Sequence, residues 1–153
     1  MAGKVYRCRV DLTRAQARNI LDAAFARARA DDMEPLGVVV LDGGGHVVAA
    51  EREDGCAPLR LPVARGKAFA ALGNGIASGV IGERNAERPA FLASVAAVSG
   101  GHFVPVAGGV LVLDEQQLVI GAVGVSGASS PQDQDAAQAG IEAAGLAWGL
   151  APE

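Results

Sequence analysis

The chain has 153 residues, of which 50% are hydrophobic, 20% charged and 4% aromatic. This length and aliphatic content exclude a disordered chain and predict a single domain over residues 1–153. A formal net charge of -4 and a pI near 5.2 argue against general nucleic-acid binding and against anionic membranes. Nucleic acids and anionic membranes both bind basic protein surfaces.

The amino-terminal residues contain no apolar run of the kind found in a secretory signal, and no stretch approaches the roughly 18 apolar residues of a membrane span. The two cysteines, Cys8 and Cys56, lack the spacing of a zinc site. Two unpaired thiols are typical of a reducing compartment. We therefore expect a cytoplasmic protein without a metal site.

The first half of the chain predicts a helix, a hairpin and a second helix. Thr13 and Gln16 have capping-box spacing ahead of an apolar stripe, which predicts the first helix. A Val-rich run followed by Asp42 and three glycines predicts the hairpin. The predicted elements are a helix over Thr13–Ala30, strands over Leu36–Leu41 and His46–Glu51, and a helix over Pro62–Leu72.

The hairpin pattern returns 72 residues later, with strands at Val110–Asp114 and Leu118–Ile120. Between the two hairpins, we expect a short helix over Glu87–Val98, and glycines punctuate the connection before it. Ser129, Ser130 and Pro131 predict the start of a closing helix. We expect its apolar face to comprise Ala137, Ile141, Ala144 and Trp148. This order predicts an α/β/α sandwich with a largely antiparallel sheet.

Paired glycines are the first candidate ligand site, because they let backbone N–H groups approach a ligand closely. They lie in Ser99–His102 and at Gly108 and Gly109, outside any P-loop or GxGxxG motif. The structural alternative is that tight turns and close packing require them. A second candidate is Ser126 with the helix start that follows, whose amides could hold a carboxylate. The alternative there is that Asp133 caps those amides.

A basic set forms the third candidate site. Arg52 ends a strand, while Arg65 and Lys67 begin a helix that could lie beside it. Arginine binds carboxylates with a planar fork, and a partly desolvated lysine can act as an acid, a base or an imine-forming amine. The alternative is that these cations, with Arg60, form surface ion pairs with nearby acids.

Metal or haem ligation uses His, Cys, Met or Tyr, and the two histidines of the chain are not in an HExxH motif. His46 follows a hairpin turn, where a turn residue is the simpler interpretation. His102 adjoins two glycines and Phe103, so we predict that His102 and Phe103 contact a ligand.

Several of these segments together resemble the GlcG/HbpS-like family, also called the haem-degrading or haem-binding HbpS-like domain, which includes the carboxy-terminal domain of PduO-type proteins. The resemblance covers about residues 11–149. It rests on the first hairpin with its Asp-Gly-Gly-Gly turn, on the segments Arg52-x-Asp54-Gly55, Ala64-Arg65-x-Lys67-Ala68 and Pro105-x-x-Gly108-Gly109, and on residues 121–127.

This resemblance implies a profilin-like or Roadblock-like α/β/α sandwich around a five-stranded, mainly antiparallel sheet, assembled as a homo-dimer or larger homo-oligomer. Family members are variously linked to haem, to corrinoid-related metabolism and to glycolate or aromatic catabolism. The predicted first helix lacks the histidine suggested as an axial haem ligand. That absence makes a small organic acid or an aromatic metabolite at least as good a candidate ligand as a tetrapyrrole.

Three functions are compatible with these patterns. The first is a cytoplasmic, homo-oligomeric small-molecule-binding protein whose ligand contacts are Arg52, Arg65, Lys67, His102, Phe103, Gly108, Gly109 and Ser126. The second is an enzyme acting on a small carboxylate or oxo-acid, with Lys67 as the acid/base and Arg65 or Arg52 holding the carboxylate. The third is an accessory module that acts only by oligomerising.

Overall fold

The computed structural model describes residues 2–153, which form one five-stranded antiparallel sheet with helices on both faces. The strands lie in the order β2-β1-β4-β3-β5. The elements are α1 (Arg14–Ala30), β1 (Gly37–Asp42), β2 (Val47–Arg52), α2 (Arg60–Asn74), α3 (Ser78–Arg84), α4 (Pro89–Val98), β3 (Gly109–Leu113), β4 (Val119–Ser126), α5 (Ser130–Ala143) and β5 (Ala147–Gly149).

Helices α1 and α5 cover one face of the sheet and form the larger core. Each helix begins with a complete capping box, Thr13 with Gln16 in α1 and Ser129 with Gln132 in α5. These caps satisfy amides that the first helical turn leaves without partners. The buried side chains of this core include Ile20, Leu21, Ala24, Val38, Val40, Val110, Val112, Val123, Val125, Ala137 and Ile141.

Helix α2 covers the other face with small side chains. Ala64, Ala68 and Ala71 pack against Val39 and Leu41 of β1. Beside them, α3 and α4 enclose a separate cluster around Ala70, Ile81 and Phe103. The three-layer α/β/α arrangement and the antiparallel sheet predicted from the sequence are confirmed.

The two hairpins have the same turn, as their sequence similarity predicts. Asp42 Oδ1 accepts backbone N–H bonds from Gly44 and His46. Asp114 Oδ1 accepts the equivalent bonds from Gln116 and Leu118. Each aspartate therefore closes its own hairpin.

The structure has a helix that the sequence analysis does not include. In the glycine-punctuated connection after α2, α3 forms where Gly79 and Gly82 let the helix approach Ala107 and Pro105. The prediction that Trp148 lies on the closing helix was wrong. That helix ends before Gly145, whose positive φ of 74° turns the chain back, and Trp148 lies in β5, paired with Val112 of β3. Among residues 2–153, no helix is both long and apolar enough to cross a membrane.

Candidate functional site

Helix α2 lies unusually close to the sheet because glycines face it. A Cβ on Gly124 would be 1.8 Å from the backbone oxygen of Ala64, and a Cβ on Gly109 would be 2.2 Å from that of Lys67. Such distances are far inside van der Waals contact, so only glycine fits. This close approach fixes the positions of the two α2 cations, Arg65 and Lys67.

Lys67 points into the protein and is 3% exposed. Its Nζ donates to Asp133 Oδ2 at 2.9 Å and to the Val125 carbonyl oxygen at 3.0 Å. The other carboxylate oxygen, Oδ1, accepts the Ala128 N–H at 2.9 Å. The ammonium and carboxylate therefore neutralise one another and join α2, β4 and the start of α5.

Burial governs the ionisation of Asp133. Removal from water raises the pKa of this carboxyl, although the bonds from Lys67 and Ala128 act in the opposite direction. The sequence-based alternative that Asp133 has a structural role at the start of α5 fits these contacts, with Lys67 as its additional partner.

Arg65 instead lines a cavity of about 300 Å³ between α2, the first hairpin and the loop before β3. His102 of that loop lines the same cavity, and its ring meets that of Phe69 edge to face at 6.1 Å between centroids. The remaining lining is apolar: Val39, Val47, Ala50, Leu61 and Pro62.

The Arg65 guanidinium is incompletely satisfied. Its Nε is buried, and among residues 2–153 it has no hydrogen-bond partner. Among residues 2–153, Arg65 is in no ion pair, whereas Arg18 pairs with Glu51 and Arg29 pairs with Glu53. A buried donor without an acceptor costs free energy unless something else supplies the acceptor.

The other predicted site residues lie apart from this cavity. Arg52 is exposed and lines a different groove with Phe25, Arg29 and Glu53. Phe103 is 8% exposed and packs in the cluster with Ala70 and Ile81.

Gly108, Gly109 and Ser126 lie close to Lys67 rather than to Arg65. A Cβ on Gly108 would be 2.6 Å from the Val125 oxygen and 2.9 Å from Lys67 Nζ. Ser126 is buried and follows Val125, whose carbonyl accepts from Lys67. Of the predicted residues, the structure thus brings together Arg65 with His102, and separately Lys67 with Gly108, Gly109 and Ser126.

The apolar wall of the Arg65 cavity was not predicted from the sequence. Leu61 precedes Arg65 by one helical turn, a spacing that places both on one face of α2 and could have been noticed. Val39, Val47 and Ala50 come from the first hairpin, and no local pattern connects them to Arg65.

Residues 12–142 match the family model described as haem degrading protein HbpS-like. The chain belongs to the HbpS-like family. It is 35% identical to Protein GlcG of Escherichia coli strain K12 over 119 residues, which cover 77% of this chain and 83% of GlcG.

Solved structures agree with this HbpS-like assignment. The PduOC:haem complex is 25% identical with a TM-score of 0.79, and the match covers 90% of this chain and 98% of PduOC. A structure of HbpS is 25% identical with a TM-score of 0.75, covering 93% and 95% of the two chains. ORFY of Klebsiella pneumoniae, at 23% identity and a TM-score of 0.80 over 95% and 98%, has the same fold. The family match, GlcG, the PduOC:haem complex and HbpS together support a small-molecule-binding protein.

Proposed function

We propose that this chain is a homo-oligomeric, cytoplasmic protein that binds a small anionic metabolite, an aromatic or similarly apolar carboxylate, in the Arg65 cavity. The observation that carries the proposal is Arg65, which lines a cavity that is apolar apart from His102 and whose buried Nε has no acceptor among residues 2–153. A planar guanidinium pairs well with a carboxylate, and the apolar wall would receive the ligand's hydrocarbon part. The free thiols Cys8 and Cys56 support a reducing compartment.

The residues of one chain do not fit a haem enclosed in this cavity. At about 300 Å³ the cavity is at the small end of ligand pockets, and α1 contains no histidine. His46 lies near Asp42, with Nδ1 3.3 Å from Oδ1, at the exposed hairpin turn. His102 is the one histidine at the cavity, and it is exposed. A smaller ligand than a tetrapyrrole is therefore favoured.

The alternative of an enzyme that uses Lys67 for acid-base chemistry stays a prediction. The Lys67 ammonium is occupied by Asp133 and the Val125 carbonyl, and it does not line the cavity of Arg65. The geometry therefore supports ligand binding better than catalysis at Lys67.

The proposal is tested by calorimetric titration with benzoate, with benzyl alcohol as the uncharged probe of similar shape and haemin as the tetrapyrrole. We expect benzoate to bind more tightly than benzyl alcohol and to raise Tm with concentration. Arg65→Gln should weaken benzoate binding about 10- to 100-fold, the range expected for loss of charge-assisted hydrogen bonds.

Arg84→Gln, an exposed substitution in α3, is the matched control and should bind benzoate like the wild type. Equal benzoate affinity of Arg65→Gln and the wild type would overturn the proposal. A preference for haemin that Arg65→Gln leaves unchanged would overturn it as well.

A further inference from the structure

The Arg65 cavity opens at the edge of the sheet, where β2 is the outermost strand. Four of its lining residues are exposed and mark the mouth: Val47, Ala50, Pro62 and His102. Val39 and Leu61 are less accessible and lie deeper. An elongated ligand with one end at Arg65 would therefore reach solvent at this edge.

Arg52 lies beside the mouth, on the side of β2 that faces α2. In the antiparallel pair of β1 and β2, Ala50 is opposite Val39 and Arg52 is opposite Gly37. Residues two apart on a strand share a face, so Arg52 follows Ala50 on the cavity's side, about 7 Å further along. Arg52 borders the neighbouring groove rather than the cavity itself. It can therefore contact only the part of a cavity ligand that projects from the mouth.

Arg60 approaches the same place from the helix. It begins α2 and precedes Leu61, which lines the cavity. A Cβ on Gly37 would be 3.2 Å from Leu61 N and 3.3 Å from the Arg60 carbonyl carbon, so the first turn of α2 lies over the strand partner of Arg52. Burial raises the pKa of the Cys56 thiol, and the charges of Arg52 and Arg60 both oppose that rise. The two guanidiniums therefore lie near one point.

These two arginines lack partners within the chain. Among residues 2–153, neither Arg52 nor Arg60 is in an ion pair, and both are exposed. Glu51 and Glu53, which flank Arg52 in sequence, pair with arginines of α1 instead. Two cations without carboxylates at one mouth form a local excess of positive charge, which attracts anions.

We propose that the ligand of the Arg65 cavity is a dicarboxylate whose two carboxylates lie at opposite ends of an aromatic or similarly apolar spacer. Arg65 binds the inner carboxylate, the apolar wall contacts the spacer, and Arg52 and Arg60 hold the outer carboxylate beyond the mouth. The inference rests on the proposed function and narrows its ligand class from one anionic group to two. Because Arg52 and Arg60 face water, they add selectivity among carboxylates more than affinity.

The test is calorimetric titration at neutral pH with terephthalate, its monomethyl ester and phthalate. The ester keeps the ring and only one charge, while phthalate has both charges at one end of the ring. We expect the wild type to bind terephthalate about 10-fold more tightly than the ester, the gain that two exposed ion pairs give. Phthalate should bind no more tightly than the ester, because its second carboxylate cannot reach the outer arginines.

Substitutions of the outer arginines should remove this preference. Arg52→Gln and Arg60→Gln should each lower the preference for terephthalate over its ester about 3-fold, and the double variant should lose it. Both arginines are exposed and unpaired among residues 2–153, so the variants should fold. Arg84→Gln, which removes the same charge from an exposed position in α3, is the matched control and should keep the wild-type preference.

The outcomes separate this inference from the proposed function. Equal wild-type affinities for terephthalate and its ester, or for terephthalate and phthalate, would overturn the inference. A preference for terephthalate that the double variant retains would overturn it too. In each case the proposed function stands if benzoate binds and Arg65→Gln weakens that binding. If the wild type binds neither benzoate nor terephthalate, both proposals are wrong.

Discussion

Arg65 and Lys67 lie two residues apart on the same helix, yet their surroundings differ completely. Lys67 is buried with a carboxylate and a carbonyl oxygen as acceptors. Arg65 faces a cavity and retains a buried Nε without an acceptor among residues 2–153. The comparison shows that a cation's residue type does not determine its role. We expect the Lys67–Asp133 pair to stabilise the fold, and we propose that Arg65 binds the ligand.

The largest difference between the two cations should appear in stability. Lys67→Met leaves the Asp133 carboxylate buried without its ammonium, so we expect the free energy of unfolding to fall by about 3–5 kcal/mol. Urea unfolding measures this loss. Arg65→Met, on the same helix, is the control, and its change should stay within about 1 kcal/mol.

The double variant Lys67→Met, Asp133→Asn tests whether the unpaired Asp133 charge causes the loss of stability in Lys67→Met. Asparagine keeps an acceptor for the Ala128 N–H and removes the buried charge, so part of the lost stability should return. If the double variant were as unstable as the sum of the two single variants, the pair would not be the cause.

Moving α2 should affect both cations together. Gly124→Ala places a Cβ against the Ala64 carbonyl, so we expect a loss of about 1–3 kcal/mol and weaker benzoate binding at the same time. Thermal unfolding and calorimetry give the two readouts.

Gly73→Ala is the control for Gly124→Ala. Gly73 lies in α2, the helix that Gly124 faces, and a Cβ added at Gly73 has nothing within 4 Å. That variant should be as stable as the wild type or slightly more so. Normal stability of Gly124→Ala would contradict the close packing of α2 on β4.

The smallest effect belongs to an exposed ion pair, Arg18 with Glu51, which serves as a reference for the buried one. The hydrogen bond from Arg18 lowers the pKa of Glu51. Because the pKa of Glu51 is lower in the folded state than in the unfolded state, the pair's contribution to the free energy of unfolding is present at neutral pH. That contribution is lost as the pH falls through the lowered pKa. Arg18→Gln should therefore lower Tm slightly at pH 7 and not in acid, and an equal change at both pH values would contradict this.

Much of the fold was predictable because its signals are local. The capping boxes at Thr13 and Ser129 and the repeated aspartate turns at Asp42 and Asp114 each lie within a few residues of sequence. Helix α3 was not predicted, because the reason for its glycines lies in contacts that are distant in sequence. Its glycines look like helix breakers in sequence, but in the fold they make room for Ala107 and Pro105.

The site was less predictable because its contacts are distant in sequence. Lys67 and Asp133 are 66 residues apart, and neither residue's neighbours indicate the other. His102 and Arg65 were predicted as ligand contacts from two separate motifs, and the structure places both at one cavity. The apolar lining from the first hairpin depends on how α2 crosses the sheet, which no short segment determines.

The position of Trp148 gives the protein a natural optical probe. It is the single tryptophan, it lies in the three-residue edge strand β5, and its Nε1 donates to Glu142 Oε1 at 2.8 Å. A short edge strand detaches more readily than the centre of a sheet. Its fluorescence therefore reports fraying of this edge, and a shift in emission that precedes the loss of helical circular dichroism would separate local opening from global unfolding.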